Sequence, residues 1–363
     1  MKYIFPICLI GLIVTASSCK KEDPDPTPEE TGYTIPTTYA FTNVDHTGQT
    51  QRIAMLDELS SYMNTGKISG TVLDAQKMKD MYANAGNPFS DATLNGSGKQ
   101  LKNKTYAADQ SLFDSYFDNL ALASQSTVAG SNGVAGVVAS SSDASKTYLL
   151  DANGIEYNQL IRKGLMGAIF YYQATSYYLE NIVTDDNNTV TSGEGTAMEH
   201  HWDEAFGYFG VPVDFPTNTS DAAYWGSYSN QRDAVLGSNK TMMDAFLKGR
   251  AAISNKDYTS RDEAVTTLRE MWERICVGSA IHYLNSVKLN LANDGVRCHE
   301  LSECLGFIYS LKYNVDRKIT DSQITDVLNH IGTNLYNVTA TDLDNARDLL
   351  STIYGLDDIK NIL

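Results

Sequence analysis

Cysteine is scarce and irregularly spaced. Of the five cysteines, Cys8 and Cys19 lie near the N-terminus, leaving Cys276, Cys298 and Cys304 for the body. No CxxC spacing occurs, which excludes a zinc ribbon, a thioredoxin-type dithiol and a dense disulfide framework. Three body cysteines cannot all pair within one chain. Either one bridge joins the helices bearing Cys276 and Cys298, or all three are buried free thiols. Cys298 and Cys304 are six apart, on different faces of a helix, and do not suit a bridge. Proline is equally sparse, and three of the eight prolines crowd into residues 24–28. Positive charge is the third deficit: 28 Lys and Arg stand against 44 Asp and Glu. That balance disfavours nucleic acid and anionic membrane surfaces as partners. Catalytic signatures are missing too. The segment 299–303, HELSE, puts Glu303 where a zincin needs its second histidine, and neither a P-loop nor a nucleophile elbow is present. Cys298 beside His299 does not make a thiol–base pair, because adjacent helical residues diverge.

Apolar runs are confined to the N-terminus. MKYIFPICLIGLIVTASSC carries one basic residue, Lys2, and an apolar stretch from Ile4 to Val14. That stretch is shorter than the roughly 20 residues of a membrane-spanning helix. Ala16, Ser17 and Ser18 lead directly into Cys19. The order resembles the lipobox of bacterial lipoproteins, which implies a signal peptide over 1–18 and a lipid on Cys19 as the membrane anchor. Residues 19–32 then form a Pro- and acid-rich tether that resists both helix and collapse. Removing residues 1–18 takes away only Lys2, so the mature chain has 27 basic and 44 acidic residues and a formal charge of −17.

Beyond the tether, residues 33–363 carry helical periodicity. Apolar spacing of three and four predicts helices over 51–64, 73–84, 107–124, 154–182, 196–209, 239–254, 261–291, 297–312, 321–330 and 341–349. Residues 125–143, rich in Ser, Gly and Val, read as a surface loop or a mobile flap. Gly164 and Gly167 in the first long helix suit the close approach of another helix. The fold class is all-α, with long surface loops and no dinucleotide-binding pattern.

The most informative feature is an approximate internal repeat. Residues 200–208 read HHWDEAFGY and residues 299–307 read HELSECLGF. His200, Glu204, Gly207 and Tyr208 thus match His299, Glu303, Gly306 and Phe307. The long helices before them align more weakly, Tyr171-Tyr172 with His282-Tyr283. The pattern predicts two related halves with core repeats near 154–209 and 261–312. Residues four apart share a helical face. Convergence of His200, Glu204, His299 and Glu303 on one cation would therefore give nitrogen and oxygen donors suited to iron or zinc. The alternative is that each His–Glu pair clasps helices without metal. His201 also stands three residues before Glu204 and competes with His200 for the inward position, with Glu199 and Asp203 as a further carboxylate pair.

The lipoprotein start, GQTQRIAMLDELSSY at 48–62, HHWDEAFGYFG at 200–210 and HELSECLGFIYSLKY at 299–313 together resemble an uncharacterised Bacteroidetes family of imelysin-like lipoproteins. The resemblance covers most of the mature chain. It implies a duplicated imelysin-like helical bundle with a connection to envelope iron handling; the expected location is the cell envelope, as an outer-membrane lipoprotein facing either the periplasm or the cell surface. His201 and Glu204 match the His and Glu of the imelysin GxHxxE motif, but residue 199 is Glu where glycine belongs. The expected function is binding of a metal ion or metal-bearing ligand. A non-metal receptor for an organic ligand or polymer, in keeping with the abundance of Tyr and Asn, is the second reading, and a metallopeptidase-like hydrolase the third.

Overall fold

The computed structural model describes residues 32–363. The signal segment, Cys19 and tether residues 20–31 lie outside the described residues. Ile35–Leu363 pack as one unit. In chain order the elements are α1 (Thr47–Asn64), α2 (Ala75–Ala83), α3 (Ala92–Asn95), α4 (Gln110–Ser124), β1 (Gly136–Ala139) and β2 (Thr147–Leu150). Next comes α5 (Tyr157–Leu165), which runs through two π-helical segments, Met166–Tyr171 and Gln173–Tyr178, into α6 (Leu179–Asn181). Then follow α7 (Ala197–Phe209), α8 (Tyr224–Leu236), α9 (Ser238–Ser254), α10 (Tyr258–Leu289), α11 (Asp294–Ser310), α12 (Asp321–Ile331) and α13 (Ala340–Tyr354).

The protein is an all-α bundle, as its periodicity predicts. Two segments differ from the sequence reading. The stretch read as a loop over 125–143 contains β1, which pairs antiparallel with β2 from Gly136↔Leu150 to Ala139↔Thr147. Its short Gly/Val-rich run was too brief to show alternation. The second is α8, which periodicity missed. Its sequence, YWGSYSNQRDAVL, mixes weak helix formers with no regular apolar stripe. Tertiary packing holds it instead: the Trp225 indole is fully buried and donates to the Met166 carbonyl at 3.0 Å.

That bond also explains the unusual turns between α5 and α6. Widened π turns free carbonyls from the regular i to i−4 ladder. Here several carbonyls meet donors from other elements. Ala168 O accepts from Tyr106 N at 2.9 Å, and Thr175 O from Arg269 Nε at 2.9 Å. Gly167 permits the approach of α11, since a Cβ there would lie 1.9 Å from Ser310 Oγ. The core beneath is aromatic. Trp272 lies 5.1 Å from Phe209 and 6.1 Å from Trp225, centroid to centroid, where α7, α8 and α10 meet. Cys276, Cys298 and Cys304 are buried and unbridged. Among the described residues no helix is long and apolar enough to cross a membrane.

Candidate functional site

The first His–Glu pair sits on α7, whose start is set by a capping box. Thr196 Oγ1 accepts from Glu199 N at 3.2 Å while the Glu199 carboxylate accepts from Thr196 N at 3.0 Å. This satisfies the exposed amides of the first turn. Glu199 and Asp203 are then bound to the buried Arg250, with Asp203 Oδ1 2.9 Å from Arg250 Nε and 2.6 Å from the Tyr39 hydroxyl. These two carboxylates therefore hold α7 against α9.

His200 and Glu204 face a different neighbourhood. His200 Nε2 lies 3.9 Å from Glu204 Oε2, and His200 Nδ1 is buried without a hydrogen-bond partner. Glu204 Oε1 accepts from Gln49 Nε2 at 2.7 Å and from the Tyr178 hydroxyl at 3.1 Å. Lys104 Nζ donates to the same hydroxyl at 3.3 Å and lies over the Tyr177 and Tyr178 rings. His201 turns elsewhere: its Nδ1 lies 2.6 Å from Asp185 Oδ2, tying α7 to the loop after α6. Of the adjacent histidines it is thus His200 that accompanies Glu204.

The second pair sits on α11, capped by Asn293, whose side chain accepts from Val296 N. His299 Nε2 lies 3.8 Å from Glu303 Oε2, and His299 Nδ1 is hydrogen-bonded to Glu156. Glu156 is also 3.1 Å from Lys67 Nζ, and Glu303 Oε1 is 3.0 Å from Lys163 Nζ. The set is a chain of alternating charge through the protein interior. Burial acts against protonation of His299, but Glu156 and then Glu303 outweigh it and raise its pKa. Burial likewise opposes ionisation of Glu303, yet Lys163 and His299 hold its pKa below the ordinary value.

The two sites are alike in outline and unlike in charge. In each, the motif glycine permits a close helix contact. A Cβ on Gly207 would meet His46 Cβ at 2.5 Å, and one on Gly306 would meet Lys163 Cβ at 2.4 Å. In each, a tyrosine beside the glutamate stacks on the motif aromatic: Tyr178 on Tyr208 at 6.1 Å and 24°, Tyr283 on Phe307 at 6.0 Å and 20°. The partner of Tyr283 in this comparison is Tyr178, not the Tyr172 that linear alignment suggests. The sites share no hydrogen-bond partner. Among the described residues, no group of three or more His, Cys, Asp or Glu side chains is placed to hold a metal ion. Gln49, Lys104, Tyr178, Glu156 and Lys163 escaped the sequence reading. Only Gln49 carried a signal, lying inside the GQTQR stretch that supports the family resemblance.

Two clefts elsewhere in the fold are lined by tyrosines. One, about 600 Å³, is lined by Tyr106, Tyr172, Tyr313, Lys312 and Arg317 among others. The other, about 410 Å³, includes Tyr116, Tyr157 and Tyr309. Comparison with known proteins identifies no activity. No curated protein and no solved structure matches the chain. One family does match, over residues 36–356, and its description is that of a domain of unknown function. The match covers most of the chain, which therefore belongs to the DUF4856 family.

Proposed function

We propose that the chain is an envelope lipoprotein, anchored at the outer membrane through Cys19, that binds an organic or metal-bearing ligand. In this reading the two His–Glu pairs are helix clasps in duplicated halves and do not ligate metal. One observation carries it: Lys163 Nζ lies 3.0 Å from Glu303 Oε1 in the protein interior. A metal ion at that carboxylate would face an ammonium group at close range, and displacing either charge leaves the other buried and unpaired. At Glu204 the carboxylate oxygen is already shared by Gln49 and Tyr178, with Lys104 behind them. The paired glycine contacts and tyrosine stacks support the duplication. The imelysin-like resemblance and an iron-related role fit through a metal-bearing ligand rather than a bare ion.

The test is a titration of carefully demetallated protein with iron, zinc and manganese ions, repeated on His200→Ala and His299→Ala. The expected result is no stoichiometric site for the free ions and a loss of stability in both variants. Stoichiometric binding by the wild type that disappears in a folded variant would restore His200, Glu204, His299 and Glu303 as metal ligands.

A further inference from the structure

Three cations gather at one edge of the first His–Glu site without a carboxylate partner of their own. Arg52 is 4 % exposed, yet it meets no carboxylate among the described residues: Nε donates to Gln100 O at 2.9 Å, Nη1 donates to Gly48 O at 3.2 Å, and the Tyr208 hydroxyl lies beside the guanidinium. Lys99 approaches from the loop after α3. A Cβ on Gly48 would lie 3.3 Å from Arg52 Nη1, 3.2 Å from Lys99 Cε and 3.5 Å from Lys99 Nζ, so both cationic heads face one point beside α1. Lys104, from the same loop, donates to the neutral Tyr178 hydroxyl. None of the three lies in an ion pair among the described residues, although acids outnumber bases in the chain by 44 to 28.

The loop that brings them together is firmly held. Asn84 Nδ2 donates to Lys99 O at 2.9 Å, Arg52 binds Gln100 O, and Gln173 Nε2 donates to Lys104 O at 2.8 Å. The neighbouring acid, Glu204, is turned to Gln49 and Tyr178. The buried Tyr208 hydroxyl lies within reach of the Arg52 guanidinium, and His200 Nδ1 is buried without a hydrogen-bond partner. Burial, then the charge of Arg52, lowers the Lys104 pKa; the Glu204 carboxylate acts the other way, and Lys99 adds to the lowering. A buried guanidinium and two crowded ammonium groups share one nearby carboxylate, Glu204, and the excess positive charge is costly unless an anion completes it.

We infer that Arg52, Lys99 and Lys104 form a binding notch for the carboxylate or phosphate group of a small anionic ligand. Arg52 supplies the fixed, planar donor and the two lysines close around the anion from the loop. This deepens the proposed function by naming the chemistry of the ligand, and it rests on that reading only in placing the ligand at the first His–Glu site.

The experiment is calorimetric titration of detergent-solubilised full-length protein with inorganic phosphate and with citrate, both free of metal. The wild type is expected to bind at least one of them at one site, more weakly as salt is raised. Lys104→Gln and Lys99→Gln each remove one charge-assisted contact and are expected to weaken binding roughly tenfold or more. Both lysines are part-exposed, so these variants avoid emptying the core. Gly48→Asp places a carboxylate at the notch and is expected to abolish binding while raising Tm. Lys146→Gln, far along the chain in the β1–β2 turn, serves as the control. Failure of the wild type to bind either anion overturns the inference, as does unchanged affinity in both lysine variants. Metal titration decides the clasp reading separately: phosphate or citrate binding with a stoichiometric free-metal site keeps the notch and rejects the clasps. No anion binding and no metal site keeps the clasps and rejects the notch.

Discussion

Lys163 Nζ stands 3.0 Å from Glu303 Oε1, with both side chains almost wholly removed from solvent. On α7 the corresponding glutamate, Glu204, instead receives the neutral amide of Gln49 at 2.7 Å. The same motif therefore closes one helix contact with an ion pair and the other with a neutral hydrogen bond. This difference makes the α11 site a sealed joint and leaves the α7 site beside Arg52, Lys99 and Lys104, which outnumber its one glutamate.

Removing one member of the sealed pair strands the other charge. Lys163→Met is expected to destabilise the fold by about 3–5 kcal/mol, whereas Lys163→Met combined with Glu303→Leu recovers most of that loss. Urea unfolding of the wild type, the single and the double variant measures both effects. A single-variant loss below about 1 kcal/mol, the range of exposed pairs, would show that the pair is solvated.

His299 has a raised pKa because Glu156 and Glu303 overcome its burial. The stability it contributes is fully present below the unfolded value of about 6.5 and is lost as pH rises through the higher folded value. The stability difference between wild type and His299→Gln is expected to shrink from pH 6 to pH 9. Nuclear magnetic resonance titration of the His299 ring gives the folded midpoint directly. A midpoint at or below that of an unfolded histidine contradicts the charge chain.

Gly306 has no room for a methyl group, since its Cβ would meet Lys163 Cβ at 2.4 Å. Neither atom is the loose end of a side chain, so α5 and α11 must separate. Gly306→Ala is expected to cost about 1–3 kcal/mol in spite of its better helix propensity. Gly96→Ala is the comparison, with Ala92 O at 3.6 Å as its nearest contact. Equal thermal unfolding of the two variants would show that the α5–α11 contact yields freely.

Burial pushes the Cys298 thiol up to about 12, and those of Cys276 and Cys304 rise as well. Thiols so placed are inert as nucleophiles. Iodoacetamide is expected to leave all three unmodified in the native protein at pH 8 and to alkylate all three in denaturant. Peptide mass mapping reads each site separately, and native alkylation of any one would place that thiol within reach of solvent.

Cys19 is expected to carry the membrane lipid. Cys19→Ser is expected to remove fatty-acid labelling and to yield an unprocessed or soluble product. Retained labelling in that variant excludes this anchor.

The long helices were legible because burial imposes a repeat of three and four residues on sequence. Leu56, Leu59 and Met63 on α1, and Val265, Leu268, Trp272 and Ile275 on α10, all fall on buried faces. The capping sequence from Thr196 to Glu199 also marks the start of α7, because its two hydrogen bonds are local. The i,i+4 setting of His200 with Glu204 and of His299 with Glu303 follows from the same helix geometry.

What those histidines and glutamates face was decided by tertiary structure alone. Lys163 lies 140 residues before Glu303, Glu156 lies 143 before His299, and Gln49 lies 155 before Glu204. No periodicity links such positions, because their approach depends on how helices stack and on where glycines let backbones meet. α8 is the same case on a larger scale: its helix is held by Trp225 reaching the Met166 carbonyl, not by a stripe of its own. The sequence by itself determined an all-helical body with two His–Glu faces. Packing determined that one face is closed by Lys163 and that the other opens beside Arg52, Lys99 and Lys104, because charge compensation is a property of distance in space and not of order along the chain.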